Sequence, residues 1–155
     1  MRKPVKNRNI VGGDKKYNSP AIAKFINYIM WDGKKELAER IVYGALTGAA
    51  AIVGAPELEV FNKVIENVSP AMEVRSRRIG GSNYQVPREV RPERRVQLAA
   101  RWLIGESRAK KGKPMQDKLQ EEFVLGFKGE GAAVKKKEEV LRMADANRAF
   151  AHFTW

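Results

Sequence analysis

From Glu73 to Arg95 the chain runs Val74-Arg75-Ser76-Arg77-Arg78-Ile79, then Gly80-Gly81-Ser82-Asn83, then Tyr84-Gln85-Val86-Pro87, with Arg91, Arg94 and Arg95 after it. Seven arginines stand against three glutamates in this stretch. Guanidinium groups at this density neutralise phosphates; they do not transform a substrate. A hairpin that served only as core would alternate apolar and polar residues, whereas here arginine stands where a buried face would carry valine or isoleucine. The repulsion between these charges calls for a polyanion to balance it. Gly80-Gly81-Ser82-Asn83 lacks the second glycine and the Lys-Ser/Thr ending of a phosphate-cradling loop, so it reads as a hairpin tip. Glycine there supplies the positive φ a tight turn needs, and Tyr84 beyond it either stacks on a base or lies against its own strand. Pro87 cannot donate to a central ladder, which places its strand on the edge of a free-standing arm.

Other chemistries find little support in the residue types. The absence of cysteine excludes disulfides and thiolate metal sites, and fits a reducing compartment. His152 is the one histidine, so no histidine cluster can hold a metal. Glu36 with Arg40, and Glu138 with Arg142, stand at i,i+4 spacing and read as surface ion pairs, not as acid–base pairs. The expectation is a protein that is not an enzyme, with no cofactor, no metal and no small-molecule substrate. Trp31 and Trp102 fall in helical segments and read as core or groove-lining anchors.

The elements that must position these charges are helical. The chain has 155 residues, room for one core and one domain, and a formal charge of +12 that points first to nucleic acid. Between Pro20 and Met72 five basic residues face six acidic ones, so 25 of the 30 basic residues lie elsewhere. A near-neutral scaffold therefore carries a cationic working surface. Ser19-Pro20 opens a first helix in which Ile22, Phe25, Ile26, Ile29 and Met30 share one face, until Asp32-Gly33 ends it. A second, Lys34 to Val53, gathers Leu37, Ala38, Ile41, Val42, Ala45, Leu46 and Ala49; Gly44 and Gly48 within it mark close helix packing. The third, Glu57 to Val68, carries Leu58, Phe61, Val64, Ile65 and Val68.

After the hairpin, assigned to residues 72–91, Pro92 opens a fourth helix whose buried side is Val96, Ala99, Ala100, Leu103 and Ile104. Arg94, Arg101 and Arg108, seven apart, are nearly superimposed on the opposite side. The basic loop Lys110-Lys111-Gly112-Lys113-Pro114 leads to a fifth helix with Met115, Leu119, Phe123 and Phe127 inside. The sixth, from Ala132, buries Val134, Leu141 and Ala144 and presents Lys135, Lys136, Lys137 and Arg142. An aromatic tail occupies residues 148–155, and a basic arm with Arg2, Lys3, Lys6 and Arg8 occupies residues 1–18. No apolar segment follows that arm as a secretory signal requires, and no apolar run is long enough to span a bilayer, so no membrane partner is expected.

Five blocks in order resemble the small-subunit ribosomal protein S-seven family in its bacterial or organellar form. They are Asp32-Gly33-Lys34-Lys35; Arg77-Arg78-Ile79-Gly80-Gly81-Ser82 with Tyr84-Gln85-Val86-Pro87; Glu89-Val90-Arg91-Pro92; Arg101-Trp102-Leu103; and Arg142-Met143-Ala144 with Ala146-Asn147-Arg148-Ala149-Phe150-Ala151-His152. The resemblance implies a mainly α fold, a six-helix domain with a β-hairpin arm protruding between the third and fourth helices. It implies direct binding to the 3′ major domain of small-subunit rRNA, nucleation of the subunit head, and a hairpin near the exit-site tRNA and the mRNA path. Neighbouring ribosomal proteins would be its other partners, and its place would be on ribosomes in the cytoplasm or in an organelle's stroma or matrix.

Position by position, the resemblance puts Arg2, Lys3, Lys6, Arg8, Lys34, Lys35, Arg75, Arg77, Arg78, Arg94, Arg95, Arg101, Arg108, Lys110, Lys111, Lys113 and Met115 against rRNA. Arg91, Lys135, Lys136 and Arg142 join that set, and Gly80, Gly81, Ser82, Asn83 and Tyr84 face tRNA or mRNA. The competing reading is an architectural DNA-binding protein with a basic β-arm. That reading explains Arg75 to Arg78 but has no use for the fourth-helix stripe, and such proteins are usually obligate dimers.

Overall fold

Phe25, Phe61 and Phe123 come from three different helices and meet at ring-centroid distances of 5.6, 5.8 and 6.4 Å. All three are almost fully buried. Two of the pairs are edge-on and the Phe25–Phe123 pair is tilted, and aromatic packing of this kind adds about 0.5–1.5 kcal/mol per pair to the burial itself, which makes the triad the centre of the core. A computed structural model describes residues 11–153, so the arm residues Arg2, Lys3, Lys6 and Arg8, together with Trp155, lie outside the described residues.

The helices are α1 (Pro20–Ile29), α2 (Lys35–Val53), α3 (Glu57–Val68), α4 (Pro92–Ala109), α5 (Met115–Lys128) and α6 (Ala132–Ala146), and a 3₁₀ turn, Arg148–Phe153, follows α6. Strands β1 (Met72–Ile79) and β2 (Ser82–Glu89) pair antiparallel between α3 and α4. The architecture is the mainly α, six-helix body with an inserted hairpin that the sequence leads one to expect. No single helix among the described residues is long and apolar enough to cross a membrane.

Helix α5 is the element the others close on, packing against α2, α3, α4 and α6. On α2 it meets the Gly44–Gly48 pair: a Cβ at Gly44 would fall 2.6 Å from the Gln116 amide, and one at Gly48 would fall 2.3 Å from Gln120 Oε1. The two glutamines, four residues apart on α5, thus lie in the trough that the two glycines leave. On α3, Gly126 faces Val64, and the Asn67 amide donates to the Gly126 and Phe127 carbonyls at 2.9 and 3.2 Å. Gly129, at φ +79°, then closes α5, with Glu130 N–H donating to Leu125 O at 2.9 Å.

Three expectations need correction. Leu37 and Leu58, which the apolar spacing places on buried faces, are 48% and 39% exposed, while Val60 takes the inner position on α3. Trp31 lies past the end of α1 and is 66% exposed. Neither Glu36–Arg40 nor Glu138–Arg142 forms an ion pair among the described residues; on α6 the pair is Lys136–Glu139 at 2.9 Å.

Candidate nucleic-acid interface

The hairpin turns through Gly80 and Gly81 at φ +56° and +91°, with Ile79 paired to Ser82. Two consecutive positive φ values define the two-residue turn whose twist matches its strands, and glycine adopts both without strain. Pro87 stands on an edge strand as expected, since the sheet has two strands, but the arm is not free-standing. Helix α6 packs on both strands, the 3₁₀ turn packs on β2, and Val86, Pro87 and Val90 are buried. Pro87 pairs with Val74 in the register. Of the two readings of Tyr84, neither its own strand nor an open face describes its surroundings. Its ring lies 5.2 Å from that of Phe150 and 5.8 Å from that of Phe153, and Arg77 Nη1 donates to Phe153 O at 3.1 Å. His152 sits 4.0 Å from the Phe153 ring, with Nδ1 2.9 Å from Ala149 O.

At the hairpin root stands a carboxylate that periodicity does not single out. Glu73 is 9% exposed, accepts from Arg75 Nε at 2.8 Å and from Arg94 Nε at 3.4 Å, and so ties β1 to the start of α4. Gln97 Oε1 accepts a further bond from Arg94, and Val90 O accepts one from Arg95. At the other end of α4, Arg108 donates to Ile29 O at 3.1 Å and lies 5.1 Å over the Trp31 ring. The seven-residue arginine spacing therefore runs from the hairpin root to the end of α1. A cleft of about 970 Å³ with Lys24, Tyr28 and Arg94 on its walls marks one end of the α1–α4 groove. A second of about 290 Å³, walled by Trp31, Leu37, Ile41, Lys34, Arg108 and Met115, marks the other. It is an apolar hollow with cations on its rim.

Among the described residues, the structure divides the expected cations into two sets. Arg78, Arg91, Arg101, Lys34, Lys35, Lys111 and Lys135 are exposed and carry no side-chain hydrogen bond or ion pair to another described residue. Arg75, Arg94, Arg95, Arg108, Lys110, Lys113 and Lys136 are held by acceptors of the chain itself. Arg142 is exposed near Glu139. Lys137, expected outside, is half-buried and donates to Asn67 O at 2.7 Å.

The segment leading into α1 is organised by Asp14, whose carboxylate accepts from the Lys16, Tyr17 and Ser19 N–H groups at 3.1, 3.0 and 2.8 Å and from the Tyr43 hydroxyl at 3.0 Å. Burial raises the Asp14 pKa, but the donors on Tyr17, Ser19, Tyr43 and Lys16 outweigh it and hold the carboxyl below its ordinary 3.8. Burial, then the Asp14 acceptor, push Tyr43 up to about 12. Glu57 is lowered by the Thr47 hydroxyl, then by Tyr17 and Lys16. Carboxyls depressed in the folded state stabilise it fully above their unfolded pKa values and cease to do so as pH falls through the folded ones. Asp14→Asn should therefore lower the urea midpoint near neutral pH, by the roughly 1–3 kcal/mol of bonds to a charged acceptor. The gap from wild type should close as pH falls through the depressed folded-state pKa of Asp14, below its ordinary 3.8, where both side chains become neutral. A gap that persists unchanged at low pH would mean that the Asp14 charge does not hold this segment.

With this geometry in view, comparison with known proteins is decisive. The family model for ribosomal protein S7p/S5e matches residues 1–148. The chain belongs to that family. It is 50% identical to small ribosomal subunit protein uS7 of Fervidobacterium nodosum over 155 residues and 49% identical to that of Thermotoga neapolitana, with the whole of each chain covered. With uS7 of Leptospira biflexa it shares 52% identity over 145 residues, covering 94% of this chain and 92% of the relative. This S7p/S5e chain is a ribosomal protein of the small subunit, from a family of ribosomal proteins and not of enzymes.

Proposed function

We propose that the whole chain, residues 1–155, is one rRNA-binding domain that attaches directly to the 3′ major domain of small-subunit rRNA and nucleates assembly of the subunit head. One observation carries the reading most strongly. A continuous line of cations runs from the Glu73-anchored hairpin root along Arg94, Arg101 and Arg108 to the apolar hollow at Trp31. Phosphate contacts along such a line set register and orientation, while the folded RNA supplies specificity through its shape. An unpaired base finds an aromatic face in the hollow, where stacking is worth about 1–3 kcal/mol per base. Basic side chains already fixed by Glu73 and by carbonyls lose less freedom on binding. With about eight phosphates neutralised, affinity drops on the order of 10³- to 10⁴-fold between about 50 and 200 mM salt.

The hairpin tip, Gly80 to Tyr84, then faces the exit-site tRNA and the mRNA path, and neighbouring ribosomal proteins complete the contacts. In this reading the protein works on ribosomes in the cytoplasm. The α4 stripe and the close family membership set aside the architectural DNA-binding alternative. Reconstitution of small subunits from rRNA and purified proteins is the test. Omitting this chain should leave particles whose head proteins are missing while the body proteins bind. Complete heads in its absence would refute the assembly role.

A further inference from the structure

The loop between α4 and α5 is less cationic in the fold than its sequence suggests. Lys113 Nζ is paired with Glu121 Oε1, and Lys110 Nζ lies 3.4 Å from Glu121 Oε2 and 2.9 Å from Glu122 Oε1. Glu122 is 1% exposed, and among the described residues its one counter-charge is Lys110, which meets it as an ion pair at 2.9 Å without a well-aligned hydrogen bond. Asp117 stands close enough to act on Lys113 as well. Two of the three loop lysines, Lys110 and Lys113, thus face three carboxylates of α5, and Lys111 alone of the loop carries no partner among the described residues. The two lysine sites differ in kind. Glu122 is buried and inseparable from Lys110, whereas Glu121 is 41% exposed and Lys113 is 58% exposed, so that pair can open to an incoming phosphate at little cost.

We propose that Glu121 is a specificity-determining residue, an internal stand-in for phosphate that withholds Lys113 from RNA whose backbone does not fit the loop. The proposal rests on the rRNA-binding reading above. An unrelated RNA meets this surface through loosely placed phosphates, each of which must displace a carboxylate already seated on the lysine. RNA of matching shape brings a phosphate to the same place while its other contacts are made, so the exchange of one anion for another is nearly neutral. The carboxylate therefore weakens binding to the wrong RNA more than to the right one, a discrimination built from a repulsive group.

The experiment compares wild type, Glu121→Gln and a control, Glu59→Gln, which removes the same charge from exposed α3 where Glu59 has no ion pair among the described residues. Each is titrated with the 3′ major domain rRNA and with a size-matched unrelated RNA across a salt series. Glu121→Gln should tighten binding to the unrelated RNA, by a factor about threefold larger at about 50 than at about 200 mM salt, which is a salt slope steeper by about 0.7–0.9. Cognate affinity should change by less than about half that, so the preference for cognate RNA falls. Adding Lys113→Gln should erase the effect, and Glu59→Gln should not reproduce it. Equal tightening toward both RNAs, no change toward either, or the same result from the control would each overturn the proposal. A wild type that prefers neither RNA would instead bring down the rRNA-binding reading, and the two failures are distinguishable from one data set.

Discussion

Replacing Arg78, Arg91 and Arg101 together by glutamine is expected to flatten the salt dependence of rRNA binding by about 2–3 in slope. The gap between wild type and variant should then narrow about 20- to 40-fold as salt rises from about 50 to 200 mM. These three are chosen because each is exposed and makes no side-chain bond to another described residue, so their loss removes phosphate contacts and little else. Exposed substitutions of this kind usually move stability by about 0.5 kcal/mol or less. Arg75 and Arg94 would be poorer probes. Both serve the buried Glu73, and removing them strands a carboxylate at the hairpin root, so lost affinity would mix lost charge with a displaced arm. A triple variant with the slope and affinity of wild type would place the interface elsewhere on the molecule.

The largest effect on stability is expected at Phe123. This residue is fully buried, joins Phe25 and Phe61 in the aromatic centre, and lies on the helix that packs against α2, α3, α4 and α6. Phe123→Ala should cost about 3–5 kcal/mol, through lost burial and the cavity that four packed helices cannot close. For a domain whose total stability is about 5–15 kcal/mol, that is a large share. Urea unfolding monitored by helical circular dichroism should show an earlier midpoint with little change in slope. A loss under about 1 kcal/mol would mean that α5 is not the centre of the core.

The sequence conveys the body of the fold well because helical periodicity reports burial directly: Ile22, Phe25, Ile26 and Ile29 are all inside, as are Phe61, Val64, Ile65 and Val68. It also conveys the close approach at Gly44 and Gly48, although not that Gln116 and Gln120 would lie there. Periodicity is weakest at the flanks of a stripe, where an apolar residue at a helix start can be counted with a buried face whose centre lies about 90° or more around the helix. Leu37, in the first turn of α2, and Leu58, in the first turn of α3, are exposed for that reason. The cationic residues are legible as types, and the seven-residue spacing on α4 places them. Which of them are already neutralised is not legible, because Glu73, Glu121 and Glu122 act across loops and between elements. No pattern in one helix foretells that. Trp31 is legible only in part: it lines a groove, as one reading of it has it, but not from within a helix. Read as an anchor in a helical segment, it lies beyond the helix with its ring beneath Arg108, and it becomes a candidate contact only once α1 and α4 are seen side by side. The hairpin's inner face was hidden likewise, since what covers it is the tail some 65 residues away.

The most direct test of rRNA recognition is competitive binding of the purified chain to labelled 3′ major domain rRNA at about 150 mM salt, with a size-matched unrelated RNA and duplex DNA as competitors. The account predicts that unlabelled cognate RNA displaces the probe at concentrations at least about 1,000-fold lower than either competitor does, a ratio typical of specific over non-specific nucleic-acid binding. Equal displacement by all three would leave a cationic surface that binds any polyanion, and rRNA recognition by this chain would have to be abandoned.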